Sequence, residues 1–228
     1  MKCNYCSQTT SRNLTLKEIF LTQKLVSEQL CPMCVQKFRL LPKTDCCHGC
    51  QKTGYTDYCP DCLKWQQQFP TYNFHHEALF AYDTAMQDWF EQYKFKGNYH
   101  LRFSFSSFIR THFKLKTKQL VIPIPISAER MKIRGFNQVE GLLKAATISY
   151  QPYLVRFDNS ESQVTKDRNA RLALKQPFKL TEKAKQNLAN KEVLLVDDIY
   201  TTGRTMFHAA QAILEHNPAK LNTFSIAR

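Results

Sequence analysis

Hydrophobic and polar positions recur with two distinct periods along this chain, and the sharpest pattern lies near its end. Val193 to Val196 form an unbroken apolar run, as in a parallel strand buried on both faces. Farther on, Phe207, Ala210, Ile213 and Leu214 recur at helical spacing, which predicts a helix over 206–216 with those residues on its inner side. Upstream, the spacing predicts a helix over 78–95, with Ala81, Ala85, Trp89 and Phe90 turned inward, Asp83 or Asp88 solvated, and Gly97 as its stop. A second helix is expected over 100–116. Residues 119–126 read as the first core strand. Pro123 and Pro125 lack a ladder donor, so its regular part should end near 122–124. A helix over 139–147, a weaker strand over 153–157 and a last strand over 221–226 follow. Strands alternating with helices predict an α/β fold, a doubly wound, mostly parallel sheet.

Chemistry gathers where the 193–196 strand should end. Asp197 and Asp198 stand there, followed by Thr201, Thr202, Gly203, Arg204 and Thr205 at the entry to the next helix. Open α/β sheets bind ligands beyond the carboxyl ends of their strands. Backbone N–H groups at a helix start, aided by threonine hydroxyls, form a cradle for a phosphate. Carboxylates beside such a cradle suit a sugar phosphate, with its hydroxyls on the acids and its phosphate in the loop. A Walker A loop is excluded, since no Gly-Lys-Ser/Thr ends the segment. The competing reading is a plain strand-to-helix turn with capping acids and threonines. The string 193–205 resembles the phosphoribosyl diphosphate (PRPP) fingerprint of the type I phosphoribosyltransferases.

Nine cysteines all precede position 63, and eight fall into four Cys-x-x-Cys pairs. One such pair is weak; four in succession point to tetrahedral zinc sites of four thiolates each. Consecutive pairing gives Cys3, Cys6, Cys31 and Cys34 for one Zn²⁺ and Cys47, Cys50, Cys59 and Cys62 for a second. The spacing also admits a cross-braced pairing. Cys46 is left over, able to replace Cys47 only through a wider knuckle, and His48 reads as a bystander. A disulfide framework needs an oxidising compartment, whereas Met1-Lys2-Cys3 leads into a knuckle with no apolar secretory segment; a cytoplasmic protein is expected. No apolar run approaches the ~20 residues of a membrane span. The chain thus divides into a double zinc-ribbon domain over 1–70, too polar to fold without metal, and a phosphoribosyltransferase-like domain over 71–228. Residues 64–70 read as the joint, and the downstream domain is expected to keep its ligand site when the zinc module is lost.

The balance is basic, 32 Lys+Arg against 19 Asp+Glu for a net charge of +13. Between Glu91 and Arg134 stand ten of these cations, opposed only by Glu91 and Glu129, with seven aromatics interleaved. Phosphate neutralisation and base stacking could bind single-stranded nucleic acid there. The alternative is a buried aromatic face with lysines solvated opposite; the aromatics favour that core reading, while the cations favour neither.

The block Arg134-Gly135-Phe136-Asn137-Gln138 follows an Ile-Pro-Ile-Pro strand, with the cysteine knuckles and Lys94-Phe95-Lys96-Gly97 ahead of it and the 193–205 string behind. In that order, end to end, the chain resembles the ComF family. The resemblance implies a phosphoribosyltransferase-type fold, PRPP bound with Mg²⁺, and work on incoming single-stranded DNA in natural transformation beside the ComFA competence helicase. Arg134 suits the diphosphate, since a guanidinium matches phosphate oxygens; Arg130 reads either as a second such contact or, with slightly more in its favour, as a solvated loop charge. Asn137 with Glu140 reads equally as a helix capping box or a ligand contact. The stretch 162–172, with Gln163, Arg168 and Arg171, departs from the family spacing. No acceptor motif stands out, and His75, His76, His100 and His112 are general-base candidates without geometry. The readings in play are a PRPP-binding competence protein, an active transferase of ribose 5-phosphate to an amine, base or nucleic acid, and a zinc adaptor with a vestigial fold. The intact fingerprint counts against the last.

Overall fold

A computed structural model describes residues 2–9, 30–114, 118–157 and 176–228. Its centre is a four-stranded, fully parallel sheet formed by β1 (His76–Phe80), β2 (Leu120–Pro123), β5 (Glu192–Ile199) and β6 (Lys220–Ala227), in the order β1-β6-β5-β2. Along β5, Leu194 and Val196 enter one core while Val193 and Leu195 enter the other. Both faces are covered, and the unbroken apolar run follows from that. One face packs against α3 (Thr84–Lys94), α4 (Ser106–Phe113) and α6 (Gln138–Ala145), the other against α8 (Arg204–Leu214). Pro123 ends β2 on an edge of the sheet, where a missing donor is tolerated.

Several elements differ from expectation. The helix expected over 78–95 is a strand followed by a shorter helix. His76, Ala78 and Phe80 alternate inward with period two, and α3 starts only at Thr84, where the Asp83 side chain accepts from the Met86 N–H at 3.2 Å. Asp88 is engaged rather than solvated, accepting from Tyr5 and from Gln92. The helix expected over 100–116 is split into a 3₁₀ turn (Tyr99–Phe103) and α4. A short helix, α5 (Ala128–Arg134), for which no element was expected, lies between β2 and α6 and ends at Gly135, whose φ of +79° suits the left-handed stop. The strand at β3 (Leu154–Arg156) does not join the main sheet; it pairs antiparallel with β4 (Phe178–Leu180), ahead of α7 (Glu182–Asn187).

The cysteine-rich segment, with its short helices α1 (Pro32–Val35) and α2 (Pro60–Gln68), wraps the outer edge of β1. The Leu41 N–H donates to Leu79 O and the Ala81 N–H to Arg39 O, at 2.9 and 2.8 Å, and the His76 N–H donates to Gly49 O at 2.8 Å. An otherwise open strand edge is closed. Cys3, Cys31 and Cys34 of the first cysteine cluster lie in the core on one face of the sheet, with Cys6 exposed, and the second cluster lies in the core on the other. Residues 64–68, expected within a joint, are helical.

Candidate functional site

At the carboxyl end of β5 the chain opens into a cavity of about 630 Å³. Asp197 and Asp198, both nearly buried, form its acidic end. The Asp197 carboxylate accepts from the Asp198 N–H at 2.8 Å, and burial together with the Asp198 charge pushes the Asp197 carboxyl up to about 8. Asp198 Oδ2 is 2.7 Å from Lys94 Nζ, in a pair almost withdrawn from water. Arg134 lines the same cavity; its Nε donates to Lys94 O at 3.1 Å and an Nη donates to Gln138 Oε1. Burial lowers its pKa below the usual guanidinium value. Arg130, Thr201 and Thr205 line this space too.

Beside it, a small hollow is enclosed by 199–206, including Thr201, Thr202, Gly203, Arg204 and Thr205. It sits where the loop enters α8, so the unpaired N–H groups of the first turn face an anion-sized recess. Gly203 takes φ +82°, and a Cβ there would collide with the Tyr200 ring and lie 3.2 Å from the Trp65 indole nitrogen. Only glycine fits. The loop is also held from outside: Trp65 Nε1 donates to Thr202 O at 2.9 Å, and its ring stacks on Phe207 at 4.2 Å. Trp65 lies on α2, three residues beyond Cys62.

The structure therefore brings Asp197, Asp198, Thr201, Thr205 and Arg134 to one cavity, with Thr202, Gly203 and Arg204 in the adjoining hollow. Asn137 is a structural cap: its Oδ1 accepts from the Val139 N–H at 2.9 Å and its Nδ2 donates to Ile124 O. Glu140 accepts from Tyr150. None of the candidate histidines lines the cavity. His76 is buried between Thr223 and Ser225, His112 faces Glu77, His75 faces Glu77 from the exterior, and His100 is exposed. Gln163, Arg168 and Arg171 lie outside the described residues. Lys94 and Trp65 went unassigned in the sequence reading. A lysine at the end of a helix stopped by a glycine and a tryptophan just after a cysteine knuckle were the signals available.

The basic stretch is not one continuous face. Lys94 is paired with Asp198, Arg110 donates to Ala146 O, and Arg102 lies over the Tyr99 ring at 3.8 Å. Of the aromatics, Tyr93, Phe105 and Phe113 are core.

The cysteines resolve into the consecutive pairing. Sγ atoms of Cys3, Cys6, Cys31 and Cys34 lie within 4.8 Å of one another, as do those of Cys47, Cys50, Cys59 and Cys62. Four converging thiol ligands suit Zn²⁺ in closed sites, with no position left for a reacting water. Arg228 donates to Cys50 Sγ at 2.7 Å, a contact of the kind that supports a metal ligand from behind. Cys46 is buried outside both clusters, and His48 faces Asp57 rather than the thiols. Two carboxylates lining a cavity also fit Mg²⁺, which keeps most of its waters and takes few protein oxygens. Among the described residues no helix is long and apolar enough to cross a membrane.

Comparison with known proteins matches residues 147–228 to the phosphoribosyl transferase domain family. Over its full 228 residues the chain is 35% identical to the competence protein ComFC of Streptococcus pneumoniae (strain ATCC BAA-255 / R6), covering 100% of each. It is 26% identical to the competence protein ComFC of Bacillus subtilis (strain 168), covering 99% of this chain and 94% of that one. Among solved structures, a hypoxanthine phosphoribosyltransferase from Trypanosoma cruzi in complex with IMP is 14% identical over 57% of this chain and 65% of that chain, with a TM-score of 0.32.

Proposed function

The chain belongs to the ComFC family of competence proteins and has a type I phosphoribosyltransferase fold, and from that premise we propose that it binds PRPP with Mg²⁺ and acts on incoming single-stranded DNA during transformation. The observation that carries the reading is the juxtaposition of the Asp197–Asp198 pair with the anion hollow at the start of α8. Ribose hydroxyls donate to the acids. The 5′-phosphate takes the backbone N–H groups and the hydroxyls of Thr201, Thr202 and Thr205. Arg134, with Lys94 beside it, faces the diphosphate. When bound, Mg²⁺ would offset the diphosphate charge, Asp197 and Asp198 being the protein oxygens nearest to it. A ComFA-type helicase is the proposed partner, in the cytoplasm, with the zinc-bearing segment as a docking surface.

A second reading, transfer of ribose 5-phosphate to an acceptor, is supported by the extent of the cavity, which continues past the acids to Phe95 and Ile133. One experiment addresses both. PRPP and Mg²⁺ are titrated into the zinc-loaded protein by calorimetry, and diphosphate release is then followed with and without single-stranded DNA. Saturable binding without release supports the binding protein, DNA-dependent release supports the transferase, and absence of binding removes both.

A further inference from the structure

The interleaved aromatics of the basic stretch separate in the fold into two groups. Tyr93, Phe105 and Phe113 are buried, and Tyr99 and Phe108 pack against the same core. Phe103 is half-buried beside Arg102, and Phe95 alone of the seven is exposed, 72%, directly after α3. Ile133 is likewise 79% exposed, on α5, a helix in which no residue is buried. Both side chains line the cavity that holds Asp198 and Arg134. Both therefore line a concavity that also carries a few convergent charged groups, the usual setting of a ligand site, rather than standing singly on open surface.

The surrounding charge indicates which ligand. Lys96, Arg130 and Lys132 are exposed around Phe95 and Ile133, and the Arg134 guanidinium lies 5.4 Å from the Phe95 ring centre. The acids nearby are Glu129, Glu91, paired with Lys96 at 3.0 Å, and within the cavity Asp197 and Asp198, the latter paired with Lys94 at 2.7 Å. A partner protein is favoured by contiguous apolar surface depleted of charge, whereas here single apolar faces stand between cations. That alternation fits a polyanion with a flat apolar group in each repeat.

We propose that Phe95 and Ile133 receive an unpaired base of single-stranded DNA at the mouth of the cavity, with Lys96, Arg130 and Lys132 taking the flanking phosphates. The identity of the strand as DNA rests on the proposed function; the base site itself does not require PRPP. The test is fluorescence anisotropy of the full-length, zinc-loaded protein at fixed salt without PRPP, comparing a labelled oligothymidylate with an abasic oligomer of equal length. The expected result is about tenfold tighter binding of the oligothymidylate, a preference of the size that one stacked base confers. Phe95→Ala should abolish that preference and Phe95→Trp should retain it, with thermal unfolding unchanged because the side chain is exposed. Equal affinity for the two oligomers in the wild type, or a preference that persists in Phe95→Ala, would overturn the proposal. A parallel PRPP titration on the same preparation reports separately on the sugar-phosphate site, so failure of one leaves the other readable.

Discussion

The indole N–H of Trp65 and the carbonyl of Thr202 meet at 2.9 Å, joining a helix that begins at a cysteine knuckle to the loop that leads into α8. The two residues are 137 positions apart. Stacking of the same indole on Phe207 fixes the first turn of α8 beneath the loop. The proposed phosphate cradle is thus shaped in part by the cysteine-rich segment, and a fragment starting near residue 71 would lack one of its supports.

Trp65→Phe keeps an aromatic ring against Phe207 and removes only the donated hydrogen bond. It should weaken PRPP binding by on the order of 1 kcal/mol, about fivefold. Trp65→Ala also removes the stacking and should weaken it further, and a fragment from about residue 71 should bind more weakly still. Calorimetry on the three forms checks the order; wild-type affinity in the fragment would show that the loop holds its shape unaided.

Zinc and ligand should be lost together at the second cluster. Cys62 lies three residues ahead of Trp65, and Arg228 ties Cys50 to the end of β6. Metal analysis of the purified protein should give two zinc ions per chain, and Cys59→Ser should lower both zinc content and PRPP affinity. A variant that loses one zinc and binds PRPP normally would uncouple the two.

Lys94 and Asp198 form a nearly buried pair, so removing one partner leaves an uncompensated charge. Lys94→Met should cost about 3 kcal/mol of stability, while Lys94→Met with Asp198→Asn should recover part of that loss. Urea denaturation of the two single variants and the double variant measures the coupling. Additive losses would mean that the ion pair contributes nothing of its own.

Asp197 gives a pH signature. Burial and the neighbouring Asp198 charge push its carboxyl up to about 8 in the folded chain, against about 3.9 in an unfolded one. Between those values the native state holds a proton that the unfolded state has released, so this group lowers stability as pH rises through that window. Ribose hydroxyls bind the ionised form better. PRPP affinity should therefore rise between pH 7 and 9, where the phosphate's own titration, near pH 6, is already past. An affinity flat across that interval would place the hydroxyls elsewhere.

Much of this arrangement was legible because it is local. The β5 run, the acids after it and the threonine-rich entry to α8 are contiguous, and one strand–loop–helix unit brings them to one place. The cysteine pairs were legible because each knuckle carries its own spacing, although only the fold excluded the cross-braced pairing. What was missed is non-local or ambiguous in period. His76, Ala78 and Phe80 alternate as a strand does, but Ala78 and Ala81 extend backward the helical pattern of Trp89 and Phe90. No amphipathic pattern marks α5, because none of its residues is buried. Lys94 and Trp65 acquire their roles only from residues more than a hundred positions away.

The central claim is that the acid pair and the α8 loop bind PRPP, and calorimetry of wild type, Asp198→Asn and Thr202→Val with PRPP and Mg²⁺ tests it most directly. Thr202→Val keeps the branched shape and removes one hydroxyl, so it should cost roughly 1–3 kcal/mol of binding if that contact is charge-assisted. Asp198→Asn should weaken binding by tenfold or more, on the order of 1.4 kcal/mol, in a chain that circular dichroism shows to be folded. Wild-type affinity in both variants would contradict the assignment of the site.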